Sequence, residues 1–249
     1  MKTWKIYIVT HGPIIPEFYK DPNFSDEHWE FINVGENRIE NSEYSILNKH
    51  DIKEFIHLGK QYAEFEAIYN VYKMQLHTKY DYIGFIHYDY ELNNSGNIRI
   101  TKLLDEVVNL DNNFISFSTY YFQKDYLQHI MMDENFPNKL KGNGKNCYLE
   151  IIEDYNKFFS TNLTRDKLLI KNPRINLCDA FLLDSRMFED MLNFISIIIE
   201  SGKLNKFDTQ HRYRFQGGIM ERYVGIYSSQ LKLYEIELPH HYNKKYENT

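Results

Sequence analysis

The strongest constraint on this fold is a short apolar run, Tyr82–His87, that stops at a cluster of polar side chains. Its length and composition predict one buried strand. Asp89 and Glu91 follow two positions apart, so in an extended segment their carboxylates leave the same side of the backbone. Two oxygen ligands placed in this way suit a hard divalent cation and the phosphates it carries. In α/β proteins the carboxyl end of a strand is also where ligands bind.

Strand and helix patterns alternate along the chain. β-branched and aromatic residues predict a first strand at Trp4–Thr10, and apolar residues at helical spacing predict a helix over 61–77, directly before Tyr82–His87. The polar segment 36–54 is expected to be a loop or a short helix. Further strands are predicted at 31–35, 114–118, 176–183 and 232–238, and helices at 101–110 (capped by Thr101), 148–159, 185–200 (capped by Ser185) and 219–231.

This alternation predicts an α/β protein in which a mixed, mostly parallel central sheet is flanked by helices. The chain of 249 residues fits a single Rossmann-like domain spanning 1–249, because neither an internal repeat nor a composition shift marks a boundary.

Composition narrows the function. A net charge of -6 and the lack of a basic stripe argue against a nucleic-acid partner. Cys147 and Cys178 have neither metal-ligand nor disulfide-framework spacing, which favours a reducing compartment. Neither a signal peptide nor an apolar run of the ~20 residues needed for a transmembrane segment is found. We therefore expect a soluble, cytoplasmic protein. Its 21 Tyr suit a polar cleft for sugars or bases, or equally reflect an AT-rich genome.

Five segments, taken in order, carry a resemblance to a known family. They are 6–11 (IYIVTH), 62–69 (YAEFEAIY), 81–88 (DYIGFIHY), 176–183 (NLCDAFLL) and 218–223 (GIMERY). Together they resemble the GT-A class of nucleotide-sugar glycosyltransferases, and within it the small capsule-polysaccharide-type domains. Those relatives often carry arginines after His-Tyr. Here Asp89-Tyr90-Glu91 resembles instead the Asp-x-Asp signature of metal-dependent GT-A enzymes, with Glu in the last place.

The resemblance implies a GT-A-like fold and a nucleotide-diphosphate sugar donor, with UDP favoured over other nucleotides. It implies a glycan or lipid-linked glycan as acceptor and Mn²⁺ or Mg²⁺ as cofactor. The candidate nucleotide contacts are Thr10, His11, Tyr88 and Asp89, and the candidate metal ligands are Asp89, Glu91, His240 and His241. The alternatives are ordinary turn chemistry for Thr10 and His11, a solvated acidic turn, and surface histidines in a loose tail. His87 is expected to have a structural role.

Two carboxylates are the catalytic candidates. Asp179 lies in the segment that lines the donor sugar and acceptor in GT-A relatives, and Glu221 is a candidate general base, which an inverting enzyme needs. The alternatives are a hydrogen-bonded strand-end carboxylate and a charge at a helix N-terminus. The turn-rich segment 133–146 is expected to close over the acceptor.

Two rival functions use the same residues. A catalytically silent relative would bind a nucleotide or glycan without transferring sugar. A metal-dependent hydrolase would use water as acceptor, although the sequence lacks the dense Asp/His ligand set of two-metal hydrolases.

Overall fold

A seven-stranded sheet forms the centre of the computed structural model and confirms the predicted α/β architecture. The structure describes residues 2–21, 24–40, 43–92, 99–110, 113–121, 147–164, 166–168, 174–176, 178–206 and 215–241. The segment 133–146, expected to close over an acceptor, lies outside them.

The strands are numbered in chain order. They are β1 (Trp4–Thr10), β2 (Trp29–Asn33), β3 (Ile46–Asn48), β4 (Tyr82–His87), β5 (Phe114–Ser116), β6 (Thr119–Tyr121), β7 (Arg174–Asn176), β8 (Phe181–Asp184) and β9 (Leu233–Glu235). The central sheet has the order β3-β2-β1-β4-β8-β5-β9, and β6 pairs with β7 in a separate two-stranded sheet.

Only β8 runs against its neighbours in the central sheet. It is antiparallel to β4 and β5, whereas β1 is parallel to β2 and β4, β2 to β3, and β5 to β9. Six strands therefore end at the same side, which we call the carboxyl edge. Ligands of α/β sheets bind at such an edge.

Helices cover both faces of the sheet. They are α1 (Phe65–Lys73), α2 (Ile100–Val107), α3 (Cys147–Phe159), α4 (Ser185–Glu200) and α5 (Phe215–Ser228). Alternate residues of each strand point to opposite faces. Thus Tyr7 and Val9 pack in a core with α1, α3, α4 and α5, while Ile6 and Ile8 pack in a second core with α2. No helix in the described ranges is long and apolar enough to cross a membrane.

Two predicted elements are interrupted by left-handed backbone. The helix predicted over 61–77 is α1 alone, with 3-10 turns at Lys60–Tyr62 and Leu76–Lys79, because Ala63 (φ 52°) and Gln75 (φ 56°) break it at either end. The strand predicted over 176–183 was also wrong. Cys178 (φ 62°) and Asp179 (φ 47°) form a turn that separates β7 from β8. Side chains rarely adopt this backbone region, which the sequence does not signal here.

The prediction for 36–54 missed β3, whose Asn48 side chain bonds Asn33 of the neighbouring strand. Both predicted helix caps were also misplaced. The N-cap of α2 is Arg99, and the Thr101 hydroxyl instead donates to Asp21. Helix α4 is capped by Asp184, whose carboxylate accepts a hydrogen bond from the Arg186 amide at 3.0 Å.

Candidate active site

The pairing of β4 with β8 brings two predicted site segments to the same place. The ladder ends at Phe85 and Phe181, two residues before His87 on one strand and two residues after Asp179 on the other. Since β8 is antiparallel, its start lies at the carboxyl edge, where β4 ends. The acidic turn 89–91 and Asp179 therefore lie at one edge of the sheet, next to the turn that follows β1.

The C-terminal segment 239–241 pairs with the acidic turn, and we call it the strap. Tyr90 and His240 form an antiparallel bridge. The Glu91 amide donates to the Pro239 carbonyl, and the His241 amide donates to the Asp89 carbonyl, each at 2.8 Å. The rings of Tyr90 and His240 stack with centroids 4.4 Å apart. These contacts fix the register of the strap against the turn.

This register matches each predicted histidine with one predicted carboxylate. His240 Nε2 lies 3.1 Å from Asp89 Oδ2, and His241 Nε2 lies 2.6 Å from Glu91 Oε2. The first pair is the more buried, with side chains 33% and 10% exposed against 49% and 26% for the second. The four predicted metal ligands thus meet as two histidine–carboxylate pairs.

Asp89 keeps its negative charge although it is buried. Burial tends to raise the pKa of its carboxyl, but the hydrogen bond from His240 and the nearby imidazoles of His87 and His240 outweigh this effect and leave the pKa below its ordinary value. Asp89 Oδ1 is buried and accepts no hydrogen bond from the described residues. An ionised carboxylate with a free lone pair is a suitable ligand for a hard cation.

The donor set fits Mg²⁺ or Mn²⁺ held jointly with a diphosphate. Across the described ranges, no group of three or more His, Cys, Asp or Glu side chains is close enough to hold a metal by itself. Asp89 and His240 could supply two ligands, and phosphate oxygens with water could supply the rest. Mg²⁺ is commonly bound in this way, through one or two carboxylates and substrate phosphates.

The residues predicted to contact the nucleotide divide into two kinds. The Thr10 hydroxyl is buried and bonds the Gly12 backbone, donating at 2.8 Å and accepting at 3.2 Å, so it shapes the turn after β1. Tyr88 is also buried, and its amide donates to Val9. The His11 side chain is 26% exposed, and its ring packs edge-on against Tyr88. Of these three residues, His11 is the most accessible to a ligand.

Three carboxylates from separate parts of the chain influence one another electrostatically. We call them the carboxylate trio: Glu64, Asp179 and Glu221. Burial and the charges of Glu221 and Glu64 raise the pKa of Asp179 well above its ordinary value. The pKa of Glu221 is also raised, mainly by burial. The charges of Arg222 and His87 and a hydrogen bond from the Cys178 amide partly oppose this increase. Both carboxyls therefore hold a proton up to a higher pH than an ordinary carboxyl does.

Local backbone and packing place Glu64 next to the start of α5. Glu64 follows Ala63, whose φ of 52° and ψ of −133° are strained for a residue with a side chain. The 3-10 turn before it packs against the start of α5, where a Cβ on Gly217 would lie 2.8 Å from the Tyr62 carbonyl oxygen. Glu64 follows this turn, and its charge acts on Glu221 of α5. Glu64 Oε1 lies 3.7 Å from His11 Nδ1.

Sequence reasoning missed Glu64 as a site residue. It lies within the 62–69 segment that carries the family resemblance, but an acid at the start of a helix ordinarily reads as a favourable charge near the helix dipole. Only the tertiary contact between the 60–62 turn and α5 distinguishes Glu64 from an ordinary acidic residue at the start of a helix.

Comparison with solved structures identifies one protein of similar fold. No family model matches the chain, and no curated protein matches it. Among solved structures, the bifunctional glycosyltransferase WbbM without ligand is similar over 97% of this chain and 46% of its own, with a TM-score of 0.61 and 18% identity. This chain therefore spans less than half of WbbM.

Two further structures are less similar. The mannosyltransferase Ktr4p from S. cerevisiae in complex with GDP has a TM-score of 0.38 and 12% identity, over 92% of this chain and 69% of its own. Mouse xyloside xylosyltransferase 1 without ligand has a TM-score of 0.37 and 9% identity, over 92% and 82%. The similarity to WbbM concerns the fold. The chain has a glycosyltransferase-like fold.

Proposed function

We propose that this protein is a metal-dependent GT-A-type glycosyltransferase. It transfers a sugar from a nucleotide-diphosphate donor, with UDP-sugars the first choice, to a glycan or lipid-linked glycan. The WbbM structure of similar fold is described as a bifunctional glycosyltransferase, which supports this class of reaction.

One observation carries the proposal. The strap brings His240 to Asp89 at the carboxyl edge, the edge at which Asp179 also lies, and the pKa values of Asp179 and Glu221 are raised. A transferase needs both parts, namely a place for the diphosphate with its cation and a carboxylate that accepts a proton from the acceptor hydroxyl. A protein that only binds a nucleotide has no need of the second part.

The chain's own residues divide this work. Asp89 and His240 would hold the cation, which when bound supplies positive charge to the leaving diphosphate. Glu221 is the better candidate for the general base, because it is partly exposed and because Arg222 and the Cys178 amide favour its ionised form. Asp179 is buried and retains its proton more readily, which suits a hydrogen bond to a sugar hydroxyl.

Thermal unfolding with a panel of nucleoside diphosphates, with and without Mn²⁺, tests the donor site. A ligand at a hundred times its dissociation constant adds about 2.7 kcal/mol of stability, which is roughly 5–10 °C for a chain of this size. We expect one nucleotide to give this shift only with Mn²⁺. Asp89→Asn should abolish the shift, whereas Asp190→Asn, which changes an exposed carboxylate on α4, should not.

Product analysis separates the proposal from its rivals. A transferase forms a glycoside with an acceptor and releases free sugar slowly in its absence, whereas a hydrolase releases free sugar rapidly without acceptor. A silent relative binds the nucleotide and does neither. Glu221→Gln should retain the nucleotide shift and lose transfer. No shift with any nucleotide, or rapid hydrolysis without acceptor, would rule out the proposed function.

A further inference from the structure

We propose that Glu64 orients the His11 imidazole so that His11 Nε2 accepts a hydrogen bond from the nucleoside part of the donor. The group that donates is a ribose hydroxyl or an N–H of the base. This inference rests on the proposed function and deepens its nucleotide site. His11 contacts the ligand, whereas Glu64 acts through His11 and is a positioning residue.

The backbone of His11 is fixed by its neighbours. The Thr10 hydroxyl bonds the Gly12 backbone, and the Thr10 carbonyl accepts a hydrogen bond from the Val34 amide at 2.9 Å. A Cβ added at Gly35 would lie 2.7 Å from the His11 carbonyl oxygen, so the two turns are in close contact. His11 is therefore held at the carboxyl edge between the ends of β1 and β2.

The ring of His11 is held by two further side chains. Glu64 Oε1 lies 3.7 Å from its Nδ1, and the Tyr88 ring meets it edge-on, with centroids 4.9 Å apart and planes at 82°. Both of these neighbours are buried, and the Tyr88 amide is bonded to the Val9 carbonyl at 3.0 Å. The His11 side chain is 26% exposed. A partly accessible ring held in this way is oriented before a ligand arrives.

The Glu64 carboxylate also selects the tautomer of the ring. A neutral imidazole carries a hydrogen on one nitrogen and a lone pair on the other. The distance of 3.7 Å is within the range of an ion pair and longer than a hydrogen bond. A carboxylate at this distance attracts an N–H and repels a lone pair, so Nδ1 is the protonated nitrogen and Nε2 has the lone pair. Such an Nε2 accepts from a hydroxyl or an N–H, which the nucleoside offers and the ionised diphosphate does not.

Nuclear magnetic resonance of the ligand-free protein tests the tautomer directly. Nitrogen–proton correlation spectra of the histidine rings are recorded at about pH 9, where imidazoles are neutral, and His11→Ala identifies the His11 signals. We expect the Nδ1–H tautomer in the parent protein. Glu64→Gln keeps the shape of the side chain and removes its charge, so it should shift His11 towards the Nε2–H tautomer that free histidine prefers.

A double-mutant cycle tests whether Glu64 acts through His11. Binding of the nucleotide that the panel selects is measured by calorimetry with Mn²⁺. His11→Ala should weaken binding roughly fivefold to tenfold, the loss of one hydrogen bond. Glu64→Gln should weaken it about threefold in the parent protein and less than about twofold in the His11→Ala background, because the two residues are coupled. Glu189→Gln, which changes an exposed carboxylate on α4, should have no effect in either background.

Nucleotide analogues identify the group that His11 contacts. The 2′-deoxy and 3′-deoxy analogues each lack one ribose hydroxyl, and an analogue methylated at the ring nitrogen lacks the N–H of the base. We expect one of them to bind more weakly than the nucleotide in the parent protein, with most of that difference lost in His11→Ala. If His11→Ala leaves the ratio of affinities unchanged for every analogue, His11 does not bind the nucleoside.

The outcomes separate this inference from the proposed function. A normal nucleotide shift in His11→Ala, or an equal loss from Glu64→Gln in both backgrounds, would overturn the inference and leave the transferase proposal intact. The Nε2–H tautomer in the parent protein would do the same. If no nucleotide binds the parent protein, the proposed function fails and the inference fails with it. Thermal unfolding without ligand confirms that each variant is folded.

Discussion

Asp89 Oδ2 and His240 Nε2 lie 3.1 Å apart, although one follows a central strand and the other lies near the end of the chain. The contact is built by backbone pairing of the strap with the acidic turn and by the stacking of His240 on Tyr90. The candidate cation site is therefore complete only when the strap is docked. Cation binding and strap docking should stabilise each other, because any ligand stabilises the state that it binds.

The two strap histidines should contribute unequally. His240→Ala should weaken Mn²⁺-dependent nucleotide binding at least about tenfold, because it removes a ligand that is held against the buried Asp89. His241→Ala should have a much smaller effect, since it removes an exposed pair with Glu91, and such pairs contribute less than about 1 kcal/mol. Titration of the nucleotide at fixed Mn²⁺, by calorimetry or thermal shift, measures both variants. Equal losses would contradict this ranking.

Replacing Asp179 should stabilise the protein in a pH-dependent way. Because folding raises the pKa of Asp179, the unfolded chain ionises first, and the free energy of unfolding falls as pH rises from about 4 towards the raised pKa of the folded state. Asp179→Asn removes this loss and supplies an amide that can donate to Glu64 or Glu221. We expect a gain of about 1 kcal/mol or more at pH 7 and little difference near pH 3.

Urea unfolding of the parent and Asp179→Asn at several pH values measures this gain. Asp190→Asn serves as the control, because its carboxylate is exposed on α4. A gain of equal size at pH 3 and pH 7 would show that it does not come from ionisation of Asp179. Catalytic activity should fall in the same variant, so stability and activity would change in opposite directions.

The sequence predicted those parts of the fold that burial alone determines. β1 and β4 have the predicted bounds because both are continuous apolar strands buried in the sheet. The turn at Cys178 and Asp179 was missed because neither residue is a glycine, the usual signal of left-handed backbone. β3 was missed because its three residues stand in a polar segment and are held by pairing with β2.

In the candidate site, too, local sequence predicted some features, and features that depend on long-range contacts were missed. Asp89 and Glu91 were identified from their spacing after a strand, and the strap histidines from a family resemblance. Which histidine faces which carboxylate depends on the register of the strap, a long-range pairing that local sequence does not encode. Glu64 depends on packing between the 60–62 turn and α5, and no local pattern predicts that contact.

Breaking the buried ion pair between Lys49 and Glu66 should strongly destabilise the fold. Glu66 Oε1 accepts hydrogen bonds from the Leu58 and Gly59 amides at 2.8 and 3.2 Å, and Oε2 lies 3.7 Å from Lys49 Nζ. Glu66→Ala leaves the buried ammonium and both amides without this partner, and should cost about 3–5 kcal/mol. Glu66→Gln should cost less, because an amide oxygen can still accept from the backbone.

The matched control for this pair is Asp51→Ala. It removes an ion pair with Arg38 whose side chains are 42% and 56% exposed, so we expect a loss below about 1 kcal/mol. Urea denaturation of the three variants gives the comparison. A loss for Glu66→Ala no larger than for Asp51→Ala would mean that water replaces the partners of Lys49 without cost.

Gly84 lies in the middle of β4, where the strand packs against β8. A Cβ added there would lie 2.5 Å from the Phe181 carbonyl oxygen and 3.0 Å from Ile6 Cγ1. Gly84→Ala should therefore destabilise the fold by about 3 kcal/mol, as measured by urea unfolding. Adding Ile6→Ala, which removes Cγ1, should not restore stability, because the tightest contact is with the Phe181 backbone and not with a side chain.

Gly202→Ala separates this packing effect from backbone strain. Gly202 has φ 67°, and a Cβ there would meet only the side chain of Asn205, at 3.2 Å. Gly202→Ala should therefore lower the free energy of unfolding by roughly 1–2 kcal/mol, the cost of placing a side chain on left-handed backbone. Gly84→Ala should also weaken nucleotide binding. β4 leads into Asp89, and Asp179 precedes β8. A shift between these two strands would therefore move the acidic turn away from the carboxylate trio. Gly202→Ala should not. Equal effects of both variants on nucleotide binding would mean that the pairing of β4 with β8 does not set the geometry of the site.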